Sequence, residues 1–367
     1  MLVNQQQYRT IWASVCDGLH TVHIIDQTRL PHVFEVVPIY HFDQMIAAIK
    51  TMQVRGAPLI GAAAAYGLAL AMQEDASDIS LCNAVHHLIQ SRPTAVNLAW
   101  AVQRVRQVIL PLPLQKRFQA AWKEAALICD EDVILNQAIG LHGLSMIQQK
   151  QQSHTIHILT HCNAGWLATV DFGTALAPIY AAHNAGVDVH VWVSETRPRN
   201  QGASLTAWEL SQHGVPHTVI SDNAAGHLMQ QGRVDMVIVG ADRVTAKGDV
   251  CNKIGTYLKA LAAADARQQG HEVPFYAAVP SPSIDWAIEN GVGHIEIEER
   301  HADELAWMVG RLASGEIASV RVLPEGTKVE NPAFDVTPAR LVTGIITEHG
   351  IFAPHELKGI QQKIKNV

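Results

Sequence analysis

An apolar run, Ile158-Leu-Thr160, ends at His161-Cys162-Asn-Ala-Gly165, so a thiol stands where a strand gives way to a polar turn. Eighty positions later Val237-Ile-Val239 ends at Gly240-Ala-Asp242-Arg243, placing a carboxyl at an equivalent strand end. A thiol and a carboxyl in one cleft can polarise bonds and move protons, provided that their surroundings tune their pKa values. Backbone N–H groups of the Asn163-Ala-Gly165 turn are expected to lower the pKa of Cys162. Cys82 and Cys129 lack such a setting and read as small buried apolar residues.

Anion-binding signals surround the pair. Arg55-Gly56-Ala57-Pro58 sets an arginine and a proline at the start of an alanine-rich helix, where free N–H groups suit a phosphate. Ser91-Arg92-Pro93 reads as a second arginine at a helix entrance. Glu195-Thr-Arg-Pro-Arg-Asn-Gln201-Gly202 crowds two arginines and a glutamine into a loop before a helix near Ala203. Asn252 and Lys253 fall close to another helix start, with Ile254, Tyr257, Leu258 and Leu261 expected inward.

The elements that must position these residues follow from periodicity. Thr21–Ile25 and Val33–Val37 read as a hairpin, and Phe42 to about Lys150 carries helical spacing, broken at Arg55–Pro58, Arg92-Pro93 and Pro111–Pro113. Short apolar strands at 155–160, 188–193, 216–220, 235–239 and 274–279 then alternate with helices, the pattern of right-handed crossovers and a parallel sheet. The fold class is therefore α/β: a mainly helical domain over residues 1–150 with a small β hairpin, then a parallel-sheet domain of the doubly wound, Rossmann-like kind over 151–367. The glutamine-rich stretch Gln148–Ser153 reads as the connector. Ligands of such sheets bind outside the carboxyl ends of the strands, where Cys162, Glu195, Ser221 and Asp242 all fall.

Composition narrows the chemistry. With 367 residues, 48% of them hydrophobic, the chain can build two cores, and its net charge of -7 argues against nucleic-acid or membrane-surface partners. Five scattered cysteines fit a reducing cytoplasm, the start lacks an apolar signal segment, and Ala57–Gln73 is too short to span a bilayer. No metal-ligand spacing occurs among the 20 histidines, so no metal is expected. Dinucleotide, P-loop and nucleophile-elbow glycine motifs are missing.

Taken together, Arg55-Gly-Ala-Pro58, Thr160-His-Cys-Asn-Ala-Gly165, Glu195–Gly202, Gly240-Ala-Asp-Arg243 and Gly248–Tyr257 resemble the S-methyl-5-thioribose-1-phosphate isomerase family of methionine salvage. The likeness runs from Arg55 to Pro338. It implies a cytoplasmic homodimer without cofactor that converts the aldose 1-phosphate to its ketose. It also implies Cys162 and Asp242 as the catalytic pair, with Arg55, Gly56, Ala57, Arg92, Gln201, Asn252 and Lys253 contacting substrate. Cys251 departs from the small residue familiar at its position. Isomerases of ribose 1,5-bisphosphate or 5-deoxyribose 1-phosphate share the same chemical problem, and the regulatory initiation factor 2B subunits share the fold.

Overall fold

The computed structural model describes residues 1–16, 18–150 and 154–364. Near the N-terminus, Leu19–Ile25 is the centre of a three-stranded antiparallel sheet, flanked by Ile11–Cys16 and Val36–Ile39. The hairpin read from sequence gains a third strand, because Ile11 and its neighbours pair with Ile24 and cover its edge. Residues 33–35 stay outside the strand.

Five helices follow: α1 (Phe42–Lys50), α2 (Ala57–Glu74), α3 (Asp78–Ser91), α4 (Val96–Ile109) and α5 (Leu114–Lys150). Fifteen residues of α2 are buried, so a helix that is apolar on every side becomes the central post of the bundle. At 37 residues α5 is about 55 Å long at the usual helical rise. Its first half packs on α2, and its second half packs on α6 (Leu176–Asn184). Glycine permits that approach: a Cβ on Gly143 would lie 2.3 Å from Pro178 Cγ. Gln148–Lys150 is the last turn of α5, and the rest of the expected connector, 151–153, lies outside the described residues.

Beyond it lies a seven-stranded sheet. Phe275–Ala278, Met236–Val239, Ile156–Thr160, Val189–Ser194 and His217–Ile220 run parallel in that spatial order, with Gly344–Thr347 parallel beyond the first and Gly350–Phe352 antiparallel at the edge. All five strands expected from the sequence are present. Chain order reverses between Ile156–Thr160 and Met236–Val239, which are neighbours, so the crevice beyond their carboxyl ends is the topological switch point. Cys162 and Asp242 are the side chains that emerge there. Buried Val3, Ile25, Leu30 and Ile139 share one core with Ile158, Trp166 and Leu176, so apolar residues from both sides of position 150 pack together.

Candidate active site

Cys162 sits two residues past its strand with φ +64°, a left-handed conformation that costs a non-glycine residue roughly 1–3 kcal/mol. Hydrogen bonds hold it there. Its N–H donates to Thr196 Oγ1 at 2.8 Å, its carbonyl accepts from Thr206 Oγ1 at 2.7 Å, and its Sγ donates to Gln201 Oε1 at 3.1 Å. The Glu195–Gly202 loop is thus the clamp on the thiol. Asp222 holds that loop in turn, accepting from the N–H groups of Thr196 and Arg197, both at 2.8 Å.

Arg55 is 7% exposed and gives two N–H groups to Asn163, one to the side-chain oxygen and one, at 2.6 Å, to the carbonyl. Its Nε is buried without a hydrogen-bond partner among the described residues, as are Nε and Nη1 of Arg92. Buried guanidinium donors are costly to leave unpaired, so three of them in one cluster mark a place for an anion. Gly56 caps α2 with φ +98°, and a Cβ there would lie 2.5 Å from the Ala168 carbonyl oxygen, so only glycine lets the helix start approach the Cys162 turn. Ala57 and Pro58 form the first turn.

Ionisation is shared across the cluster. Burial raises the Cys162 pKa above the ordinary thiol value, while the positive charges of Arg55 and Lys253 pull it down. The turn N–H groups were expected to dominate, but desolvation outweighs them. Burial likewise raises Asp242, against Lys253, Arg55 and Arg92. Lys253 is lowered by burial, and the nearby Cys162 and Asp242 oppose that shift. The mutual influence brings Cys162, Asp242, Arg55, Arg92 and Lys253 into one site. Its thiol and its acid both favour the protonated state more than free side chains do.

Several local readings change. Arg92 is the C-cap of α3 rather than a helix entrance, because the following proline disfavours helical backbone at position 92 and α4 begins only at Val96. Its Nη2 donates to Glu298 Oε2 at 3.1 Å. Arg197 and Arg199 bind the Leu305 carbonyl and Glu304 Oε1, at 3.1 and 3.0 Å, and serve to pin the loop instead of presenting free charge. Asn252 and Lys253 end the strand Val250–Lys253, held antiparallel to Phe334–Thr337, and the next helix is Thr256–Gln268. On that helix the buried face carries Thr256, Lys259, Ala260 and Ala263, and Leu258 is 61% exposed. Cys129 is buried as expected, whereas Cys82 is exposed. Ser221 is exposed.

Sequence reasoning missed Glu209. It is fully buried in the helix Ala207–His213 and accepts from Asn163 Nδ2, Trp166 N, Leu167 N and Tyr180 Oη at 2.7, 2.9, 3.0 and 2.9 Å. Burial pushes its pKa up to about 7, against those hydrogen bonds. The one available signal was a carboxylate inside the apolar run Ala207-Trp-Glu-Leu210. Also unforeseen is the ion-pair network of the segment Glu298–Glu304, where Arg300 binds Glu298 and Glu304 at 2.8 and 2.7 Å. Nearby opens a cleft of about 690 Å³ whose lining includes polar Arg55, Gln201 and Glu304 and apolar Leu30, Met52, Leu205 and Trp307. Cys162 and Asp242 do not line it, but Gln201, which holds the Cys162 sulfur, does.

Residues 53–354 match the family model described as the initiation factor 2 subunit family. A methylthioribose-1-phosphate isomerase of Brucella anthropi is 58% identical over 358 residues, covering 96% of each chain. Among solved structures, the 5-methylthioribose 1-phosphate isomerase of Pyrococcus horikoshii superposes with TM-score 0.81 at 39% identity, covering 99% of this chain and 97% of its own. The delta subunit of translation initiation factor eIF-2B from A. fulgidus superposes with TM-score 0.77 at 38% identity, covering 98% and 100%.

Proposed function

This chain belongs to the initiation factor 2 subunit family, and we propose that within it the chain is an aldose–ketose isomerase of methionine salvage. The substrate is S-methyl-5-thio-α-D-ribose 1-phosphate and the product S-methyl-5-thio-D-ribulose 1-phosphate. The observation that carries this reading is the set of unpaired, buried guanidinium donors on Arg55 and Arg92, gathered round a thiol and an acid whose pKa values burial raises. The 58% identical isomerase supports it.

A phosphate on the C1 oxygen prevents the sugar from opening to a free aldehyde. The ring must instead open by breaking the bond from C1 to the ring oxygen. Asp242, whose pKa burial raises, gives its proton to that oxygen as the bond breaks. The electron-poor C1, still bearing phosphate, takes hydrogen with its bonding electrons from C2. The C2 hydroxyl then returns a proton to the Asp242 carboxylate, leaving a ketone and a restored acid. A neutral thiol is a poor base, so Cys162 stands against the reacting carbons and excludes water rather than abstracting the C2 proton.

Arg55, Arg92, Lys253 and the α2 start at Gly56 and Ala57 hold the phosphate, while Gln201 and Asn252 face the sugar hydroxyls. The apolar lining of the cleft, at Leu30, Met52, Leu205 and Trp307, receives the methylthio group. We place the helical domain at 1–150 and the catalytic domain at 151–367, in a cytoplasmic homodimer. Uncovered apolar side chains on the hairpin Trp307–Arg311 and Ile317–Arg321, with Val309 63% and Val320 50% exposed, support a second copy.

Replacing Asp242 with Asn, or Cys162 with Ser, tests the roles. Asp242→Asn should lower kcat by roughly 10²–10⁴, the usual contribution of a positioned acid, with the fold intact by circular dichroism. Deuterium placed at C2 should be recovered at C1 by the native enzyme. Near-native rates in both variants, or loss of the label to water, would overturn the scheme.

A further inference from the structure

We propose that Glu209 is a positioning residue for phosphate capture, acting on Arg55 through Asn163. This rests on the isomerase reading only in assuming that Arg55 holds the phosphate. Among the described residues Glu209 has no cation against it; the four hydrogen bonds there are all from donors, two to Oε1 from Asn163 and Leu167 and two to Oε2 from Trp166 and Tyr180. An ionised carboxylate accepts at about four sites and donates at none, so the match is complete only for the charged form. A protonated Glu209 would have to aim its O–H at one of these donors and break that contact.

The consequence is set by Asn163. With its Nδ2 fixed on Glu209, and also 3.2 Å from Thr206 Oγ1, its side-chain oxygen can point only toward Arg55. The side-chain oxygen and the carbonyl of Asn163 then take both terminal nitrogens of the guanidinium. That leaves Nε as the buried donor without a hydrogen-bond partner among the described residues. The same carboxylate fixes the N–H groups of Trp166 and Leu167, in the segment that begins at Gly165. Gly165 leaves room for it, since a Cβ there would lie 1.9 Å from Glu209 Oε2. Burial pushing the group up to about 7 adds that the relay slackens as protons return.

The test uses Glu209→Gln, close in shape but carrying an amide donor that faces other donors. Binding of inorganic phosphate by calorimetry and the KM for the sugar phosphate are measured beside melting temperature. We expect both phosphate Kd and KM to rise about tenfold with kcat changed little, as for loss of a hydrogen bond to a charged group. Combining it with Arg55→Lys should give a non-additive KM, because both act on one interaction. Should Glu209→Gln fail to fold, Asn163→Ser breaks the same relay and should raise phosphate Kd alike. A lowered melting temperature with unchanged phosphate Kd and KM, or strict additivity, would overturn the proposal. Phosphate binding needs no turnover, so a wild-type protein that binds phosphate but leaves methylthioribose 1-phosphate unchanged would refute the isomerase reading and leave this one standing.

Discussion

Gly56 shows how tightly the site depends on single atoms. Its φ of +98° and the 2.5 Å approach that a Cβ would make to the Ala168 carbonyl oxygen leave alanine no unstrained option. Gly56→Ala should destabilise the protein by roughly 1–3 kcal/mol and also raise KM, since the α2 start must retreat from the Cys162 turn. Thermal melts and steady-state kinetics check both, and a native KM would show that the helix start is not used. At this scale the sequence was readable where a residue type is rare in its setting. A cysteine and an aspartate just past apolar strands, and an arginine before Gly56, were visible because those settings rarely hold such groups. Glu209 was not visible, because one carboxylate in a short apolar run looks the same whether it is exposed or fully buried. Nor was the direction of the Cys162 shift, which depends on how many atoms surround the sulfur.

Among the elements, α5 joins the helical layer to the turn region after Cys162. Its Asp132, 8% exposed, accepts from Val170 N at 2.7 Å, and burial raises its pKa to about 7 from 3.8. The folded state therefore binds this proton more tightly than the unfolded chain. Its contribution to stability is full below about pH 4 and is lost as pH rises through about 7. Asp132→Asn should gain stability relative to the native protein between pH 4 and pH 8, measured by denaturant melts at each pH. A constant difference across that range would contradict the account. Parallel strands were legible from their apolar runs and spacing, as was the buried α2. The third N-terminal strand was not, since Ile11–Cys16 pairs only because Leu19–Ile25 offers it an edge. The reading of Arg92-Pro93 failed for a related reason: a proline marks both helix starts and helix ends, and only the φ of the neighbouring residue tells which.

For the whole molecule, the switch point of the sheet and the start of α2 must meet, and the segment from Glu298 to Glu304 joins the cluster through Arg92 and Glu298. Neither relation is local in sequence: Arg92 and Glu298 are 206 positions apart, and Arg55 and Asn163 are 108 apart. What could be read was that strand ends converge and that Arg55, Arg92 and Lys253 belong with them; the Glu298 partner of Arg92 and the Asn163 partner of Arg55 could not. The assembled charge pattern also bears on substrate. The cleft lining offers Leu30, Met52, Leu205 and Trp307 together with Arg55, and its other arginines, Arg29 and Arg199, are paired with Glu35 and Glu304. Such a site suits one phosphate and one apolar end. The decisive measurement is kcat/KM for methylthioribose 1-phosphate beside ribose 1,5-bisphosphate and 5-deoxyribose 1-phosphate, under one set of conditions. Methylthioribose 1-phosphate should lead, by roughly 10-fold or more over the deoxyribose compound, which lacks the thioether and its methyl. A bisphosphate turned over faster, or no turnover of any of the three, would contradict the account.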